Sequence, residues 1–367
     1  MTPRFHSLAI LQRRQETRDS VSLAFAVPQD LKEAYRFTQG QYLTLKAKVS
    51  GVEVRRSYSI CSGVSDYTTK GELRLAIKKV DGGVFSNFAF DELQAGHSIE
   101  VMTPEGRFYS QLNFENEKHY VAFASGSGIT PIVSIMKTTL EREPKSRFTL
   151  VYGNRNAQQV MLLEAIEALK NDYLSRVQLI HILSSQPQES ELFNGRINRS
   201  KCDQLLAALI PASTIDQAFI CGPSSMIDDV EASLQAAGVA KAHIHAERFG
   251  VPAPHSSASA AHKPSEHAKE PSTKVAALNV QLDGKLRTMA FPFEGESLLD
   301  IALAQGLDLP FACKGGVCCT CRAKVISGQV RMDKNYTLEQ WEIDKGFVLT
   351  CQCHPVTDAV TVSFDER

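Results

Sequence analysis

The 367-residue chain has no apolar run approaching the ~20 residues that a bilayer-spanning helix needs. Its opening stretch, MTPRFHSLAILQRR, holds an apolar segment of only four residues, too short for the core of a secretory signal. A basic excess is also missing. Lys and Arg number 40 against 41 Asp and Glu, a formal net charge of −1, whereas a general nucleic-acid binder carries surplus positive charge. With membrane, secretion and nucleic acid set aside, the expected compartment is the cytoplasm, where thiols stay reduced. What the chain does have is cysteine. Of its nine, six lie between 313 and 353, and in a reducing compartment they read as metal ligands before disulfides.

Single cores seldom grow beyond about 250–300 residues, so two or three domains are expected. One segment breaks the composition. VPAPHSSASAAHKPSEHAKEPST (251–273) carries four prolines, five serines and five alanines, with one valine as its only large apolar residue. It cannot bury enough surface to offset its ordering entropy and reads as a flexible linker. As a coil its ends would average roughly 25–29 Å apart. His255, His262 and His267 within it read as solvated residues rather than a metal site.

Three blocks remain. Residues 1–115 alternate in short strand-like runs separated by turn residues (VSLAFAV, QYLTLKAKV, RRSYSI, GELRLAIKKV, SIEVM), the pattern of an antiparallel β-barrel. Residues 116–250 pair apolar strands with helical stretches. YVAFAS leads to PIVSIMKTTLERE, RFTLVYG to VMLLEAIEALKND and AFICG to SSMIDDVEASLQAAG, with VQLIHIL as a further strand. This is an α/β domain on a parallel sheet. Residues 274–367 hold paired strands (ALNVQLDG, LRTMAFPF), the short helix SLLDIALAQG and then the cysteine-rich CKGGVCCTC.

Cys313, Cys318 and Cys321 form C-x4-C-x2-C, which with one distant cysteine is the plant-type [2Fe–2S] spacing. Gly315 and Gly316 suit a loop that must fold closely around a cluster. Structural zinc usually pairs C-x2-4-C with a second matching pair, and Cys351 and Cys353 make only C-x-C. Spacing leaves either of those two as the fourth ligand. DLPFACKGGVCCTCRAKVISGQV followed by GFVLTCQCHPVTDAVTV resembles a plant-type ferredoxin domain, an α+β β-grasp fold. In that family the last ligand ends a V-L-T-C strand with proline four residues on, which implies Cys351, followed by Pro355. The family usually has a small residue where Cys319 stands, so Cys319 and Cys353 are expected to be non-ligands.

Arg56-Ser57-Tyr58-Ser59 taken alone is an alternating strand. On a barrel strand, R-x-Y-S resembles the flavin motif of the ferredoxin–NADP reductase superfamily. The resemblance implies FAD, with Arg56 on its phosphate, Tyr58 packed on its ring and Ser59 hydrogen-bonded to that ring, Ser57 lying in the same binding strand. A guanidinium suits phosphate because its donors form a planar fork. DGGVFSNF (81–88) supplies Gly82, Gly83, Val84, Phe85 and Ser86 where a helix should begin and expose N–H groups to a pyrophosphate. ASGSGITPI (124–132) follows the first strand of the α/β block. Gly126, Ser127 and Gly128 can let a nucleotide approach, Thr130 can cap the helix, and Pro131 can take its first position. This form resembles the superfamily's nicotinamide loop. Cys221, Gly222 and Pro223 close a strand at the carboxyl edge where such sheets bind ligands. The resemblance implies that Cys221 and Ser59 border the hydride-transfer locus, with Glu247 and Phe249 of HAERFG beside the flavin.

After the second strand, VYGNRN has no acidic residue to hold a ribose 2′-hydroxyl. Arg155, with Ser184 and Ser185 after the third strand, can receive a 2′-phosphate, so NADPH is expected over NADH. The order flavin barrel, nucleotide domain, ferredoxin domain is similar to single-chain oxygenase reductases. Phrases such as VPQDLKEAYRFTQGQYLTLKA, LVYGNRN, AFICGP and NYTLE are similar to those serving a di-iron oxygenase of phenylacetyl-CoA degradation. The implied activity is electron transfer from NADPH through FAD and the cluster to that oxygenase. Another oxygenase or a hybrid-cluster protein is the alternative acceptor, and a cofactor-free zinc scaffold is the rival of a different class.

Overall fold

The computed structural model describes residues 4–249 and 275–366; the expected linker, 251–273, lies outside the described residues. The chain divides into two compact units, the first spanning Phe5–Phe249.

That unit begins with strands β1 (Phe5–Thr17), β2 (Ser20–Ala26), β3 (Tyr42–Val49) and β4 (Val52–Ser59). They are followed by helix α1 (Val64–Lys70), β5 (Glu72–Lys78), α2 (Val84–Asp91) and β6 (Ser98–Met102). The six strands form one antiparallel sheet in the order β4-β3-β6-β1-β2-β5. It curls until Ile60, just past β4, bridges Leu75 on β5. Alternation explains the curl's filling, because Leu73, Leu75 and Ile77 of ELRLAIK all turn inward with Leu23, Phe25, Leu43 and Leu45. The 13-residue β1 is the strand that pattern reading passed over. Its inward residues Leu8 and Ile10 are followed by the polar run Gln12–Glu16 where the strand reaches the sheet's exposed end.

The nucleotide half continues with β7 (His119–Ser125), α3 (Ile129–Arg142), β8 (Arg147–Asn154), α4 (Leu163–Asp172) and β9 (Val177–Leu183). It ends with α5 (Arg199–Ala208), β10 (Gln217–Gly222), α6 (Ser224–Ala236) and β11 (Ile244–Arg248). All five strands are parallel, in the order β11-β10-β7-β8-β9. Strand β7 shows why the sheet takes helices on both faces. Tyr120, Ala122 and Ala124 pack towards α3 and α4, while Val121 and Phe123 pack towards α5 and α6. Helix α3 seats Ile129, Ile132, Val133, Met136 and Leu140, a helical stripe at three- and four-residue spacing. The expected helix VMLLEAIEALKND starts only at Leu163, because Leu162 sits in the left-handed region at φ 57°. Cys61, Ala76 and Phe108 from the barrel join the α3–α4 core, so barrel and nucleotide sheet share packing.

The second unit holds β12 (Val275–Leu282), β13 (Lys285–Pro292), α7 (Leu298–Ala304), β14 (Arg322–Ser327) and β15 (Val330–Met332). After them come α8 (Gln340–Asp344), β16 (Phe347–Leu349), β17 (Cys353–Pro355) and β18 (Ala359–Ser363). Five strands make a mixed sheet, β13-β12-β18-β14-β16, whose one parallel pair is β12 with β18. Leu278, Val280, Val360 and Val362 meet Leu298, Leu299 and Ala302 of α7 in its core. The cysteine-rich loop runs between α7 and β14.

Candidate functional site

Arg56, Ser57, Tyr58 and Ser59 all lie on β4. Strand alternation buries Arg55 against Glu53, 2.9 Å away, and leaves Arg56 exposed, with one of its N–H groups on the Arg55 carbonyl at 2.7 Å. Ser57 shares a 3.0 Å hydrogen bond with Thr44 on β3. The Tyr58 ring lies 5.8 Å from that of Phe85, the second residue of α2. Gly82 adopts φ 68° with open space on its Cβ side, and Gly83 caps α2. Ser86 is committed to the same turn, its hydroxyl accepting from the Val80 N–H at 3.1 Å and facing the Gly83 carbonyl. The strand thus offers an exposed guanidinium, and its Tyr58 ring meets the start of α2 beside the glycine turn. This set fits FAD, whose phosphates need cationic and N–H donors and whose ring needs an apolar face.

Across the unit, the nucleotide loop is a single 3-10 turn, Gly126–Gly128, running into α3. Helix α3 begins at Ile129 with Gly128 as its cap, so Thr130 is not the cap and Pro131 is not the first helical residue. Instead the Thr130 hydroxyl donates to the Ser127 carbonyl at 3.0 Å, which tightens the turn from within. Gly128 is required by packing. A Cβ there would lie 2.1 Å from the carbonyl oxygen of Cys221. Gly126 needs its freedom for another reason, a left-handed φ of 54°, and its Cβ side is open.

A cavity of 520 Å³ opens beside this turn. The loops after β8 and β9 are zipped together at its rim, with Ser184 N–H on the Asn154 carbonyl (3.0 Å) and Ser185 N–H on the Arg155 carbonyl (2.8 Å). Arg155, Ser184 and Ser185 therefore line it together. Arg196 lines it too, an exposed residue that sequence reasoning passed over. Its signal was Gly195-Arg196 in the loop after the third parallel strand, where Gly195 donates to the Leu183 carbonyl at 2.9 Å. Two guanidiniums and two hydroxyls on one rim fit a phosphorylated ribose.

Cys221 and Gly222 end β10, Pro223 caps the following helix α6, and Cys221 is fully buried. Strand register sets Cys221 beside Glu247 on β11, and the Ser59 hydroxyl reaches the Glu247 carboxylate at 3.3 Å. Glu247 keeps part of its surface exposed, yet the protein crowded around its carboxyl makes burial the main influence, pushing its pKa up to about 8 against the Ser59 hydrogen bond. Burial likewise pushes the Cys221 thiol well up, and Glu247 adds to it. Ser59, Cys221 and Glu247 thus form a polar cluster where barrel and sheet meet. Phe249 is exposed and stands just past β11.

In the second unit the four cysteines expected as ligands form two pairs. Cys313 is hydrogen-bonded with Cys318, and Cys321 with Cys351. Within each pair the hydrogen bond draws one thiol down and pushes its partner up: Cys318 lowers Cys313, and Cys321 likewise lowers Cys351. Gly315 N–H donates to Cys313 Sγ at 3.3 Å. Two thiol pairs around an N–H-lined loop fit a two-iron cluster. Cys353 is buried and donates to the Leu349 carbonyl at 3.2 Å, and burial pushes its pKa up. Cys319, at φ 53°, places its sulfur 3.1 Å from the Thr337 hydroxyl.

Comparison with known proteins matches this layout. The family model described as "Oxidoreductase FAD-binding domain" covers residues 7–109, "Oxidoreductase NAD-binding domain" covers 123–232, and "2Fe-2S iron-sulfur cluster binding domain" covers 280–356. The chain is 46% identical to a component protein of the 1,2-phenylacetyl-CoA epoxidase of Escherichia coli (strain K12), across 99% of this chain and 98% of that one. It is 32% identical to the ferredoxin reductase component of 3-ketosteroid-9-alpha-monooxygenase of Rhodococcus rhodochrous, over 95% and 94%. Among solved structures, phthalate dioxygenase reductase aligns over 98% of both chains with a TM-score of 0.57 at 20% identity, a likeness of fold.

Proposed function

The chain belongs to the family of FAD- and [2Fe–2S]-containing reductase components of multicomponent oxygenases, and we propose that it takes electrons from NADPH and serves a di-iron oxygenase acting on phenylacetyl-CoA. Bound FAD would accept electrons as a pair and hand them on singly to the iron–sulfur cluster, which is the chemistry the polypeptide itself cannot supply. The protein's own residues bind and position. Arg56 and the Gly82–Gly83 turn hold flavin phosphates, and Tyr58 covers the ring. Gly126–Gly128 and Thr130 shape the pyrophosphate turn, and Cys221 with Gly222 and Pro223 closes the nicotinamide side. Ser59 hydrogen-bonds the flavin ring, with Glu247 bordering that locus. Cys313, Cys318, Cys321 and Cys351 ligate the iron. Domain limits of 1–115, 116–250 and 274–367, joined by 251–273, belong to the same reading. So does a cytoplasmic setting, which nine free cysteines suit.

The observation that carries the substrate assignment is end-to-end identity of 46%, with all three modules in one order. Arg155 beside Ser184 and Ser185 at the cavity rim supports NADPH. The test is turnover of phenylacetyl-CoA by its di-iron oxygenase, driven by this reductase with NADPH or NADH. NADPH-driven product formation is expected. Robust reduction of an artificial acceptor without phenylacetyl-CoA turnover would overturn the substrate assignment and favour another oxygenase or a hybrid-cluster protein. No helix among the described residues is long and apolar enough to cross a membrane.

A further inference from the structure

We propose that Gln352 is a positioning residue for the iron–sulfur cluster, its side-chain amide both clamping the cysteine loop to the turn that carries Cys351 and donating an N–H to Cys351 Sγ. This role rests on Cys351 as the fourth ligand. Gln352 ends the 3-10 turn Thr350–Gln352 and is 9% exposed, unusual for a glutamine unless its amide is satisfied. Its Nε2 lies 2.9 Å from the Cys351 carbonyl, 3.1 Å from the Lys314 carbonyl and 3.5 Å from Cys351 Sγ, so with two N–H groups for three acceptors the sulfur shares one of them. Both carbonyls are acceptors only, so the nitrogen and not the oxygen must occupy this position. The amide orientation is thereby fixed by its partners rather than left open to a flip.

Two separate ties hold the ligand turn against the loop. Thr350 binds one end, its N–H and hydroxyl both reaching the Cys321 carbonyl at 3.2 and 2.8 Å. Gln352 binds the other end through Lys314, 38 residues away in sequence. Lys314 itself sits at φ 49°, in the left-handed region where a non-glycine residue is held by its surroundings. Gly316, at φ 77°, leaves room for this arrangement, since a Cβ there would lie 3.4 Å from Gln352 Cγ and 3.0 Å from the Lys334 carbonyl. The Asp333 N–H on the Gln352 carbonyl, at 2.9 Å, anchors the turn from a third side.

An N–H aimed at a ligating sulfur stabilises the more negative, reduced form of a cluster and so raises its reduction potential. Gln352 would therefore set how readily the cluster accepts an electron as well as where Cys351 stands. The test uses the full-length holoprotein, purified anaerobically, comparing the natural chain with Gln352→Met, which keeps side-chain length but has no donor. Iron and sulfide content, the electron paramagnetic resonance signal and the cluster midpoint potential are measured. A potential shifted to more negative values, with an altered resonance signal, is expected. Should Gln352→Met emerge short of iron, anaerobic reconstitution with iron and sulfide restores the cluster for the same titration. An unchanged potential and signal at full iron content would overturn the proposal. Cys351→Ala, measured alongside, isolates the premise: a retained [2Fe–2S] cluster there would remove Cys351 as ligand, whereas its loss with an unchanged Gln352→Met potential would refute the role of Gln352 alone.

Discussion

Replacing Gly128 with alanine would set a methyl carbon 2.1 Å from the Cys221 carbonyl oxygen, 2.5 Å from its carbon and 2.9 Å from the Gly222 nitrogen. Ordinary contact begins near 3.4 Å, so α3 and the end of β10 would have to separate by about 1.3 Å. All three atoms are backbone, and no rotamer change can absorb the clash. Overpacking of this kind costs about 1–3 kcal/mol, which in a unit of this size lowers the unfolding temperature by roughly 2–12 °C. The larger effect falls on chemistry, because the same shift moves Cys221 and the pyrophosphate turn relative to each other. A misplacement near 1 Å costs on the order of 100-fold in rate. Stopped-flow reduction of bound FAD by NADPH, paired with thermal unfolding, measures both. Gly126→Ala separates strain from packing in the unfolding measurement: its Cβ meets no protein atom within 4 Å, so its cost to stability is the left-handed penalty of about 1–2 kcal/mol. Flavin reduction and melting temperature unchanged in Gly128→Ala would refute the close approach of α3 to β10.

Arg155→Ala and Arg196→Ala should each raise KM for NADPH and leave NADH nearly untouched. Losing one charge-assisted contact costs about 1.5–3 kcal/mol, roughly 10- to 150-fold in kcat/KM; equal losses with both nucleotides would assign the arginines to general positioning. Cys351→Ala should lose the cluster while Cys353→Ser and Cys319→Ala retain it, as read by iron content, and the reverse pattern would transfer the fourth ligand to Cys353. Glu247 predicts a pH signature. Its folded pKa of about 8 lies above its ordinary 4.5, so the native state binds more protons between those values. Relative to Glu247→Gln, the natural chain should lose unfolding free energy as pH rises from about 4.5 to about 8 and lose no more above that. A flat difference across the window would show that burial does not hold the carboxyl protonated.

Iron–sulfur spacing was legible in the chain because Cys313, Cys318 and Cys321 lie within one loop, where sequence distance and spatial distance nearly coincide. Strand alternation likewise announced β2 to β6, and continuous apolar runs announced β7 to β10, since a strand buried on both faces is apolar throughout; β11, whose residues are only partly buried, was not read as a strand. Strand β1 escaped because its second half, Gln12–Glu16, leaves the core and loses that period. Thr130 looked like a cap because Ser or Thr before Pro often is one, but the 3-10 turn at Gly126–Gly128 moved the helix start to Ile129. Other features depend on distant elements meeting. Ser59 reaches Glu247 across 188 residues only because the barrel packs on the sheet and β11 pairs in register with β10. Arg196 joins Arg155 only because the loops after β8 and β9 share one rim. Local chemistry marked the candidate ligands and the order of modules; tertiary packing decided which side chains from separate strands and loops meet, because those encounters are fixed by register and burial rather than by spacing along the chain.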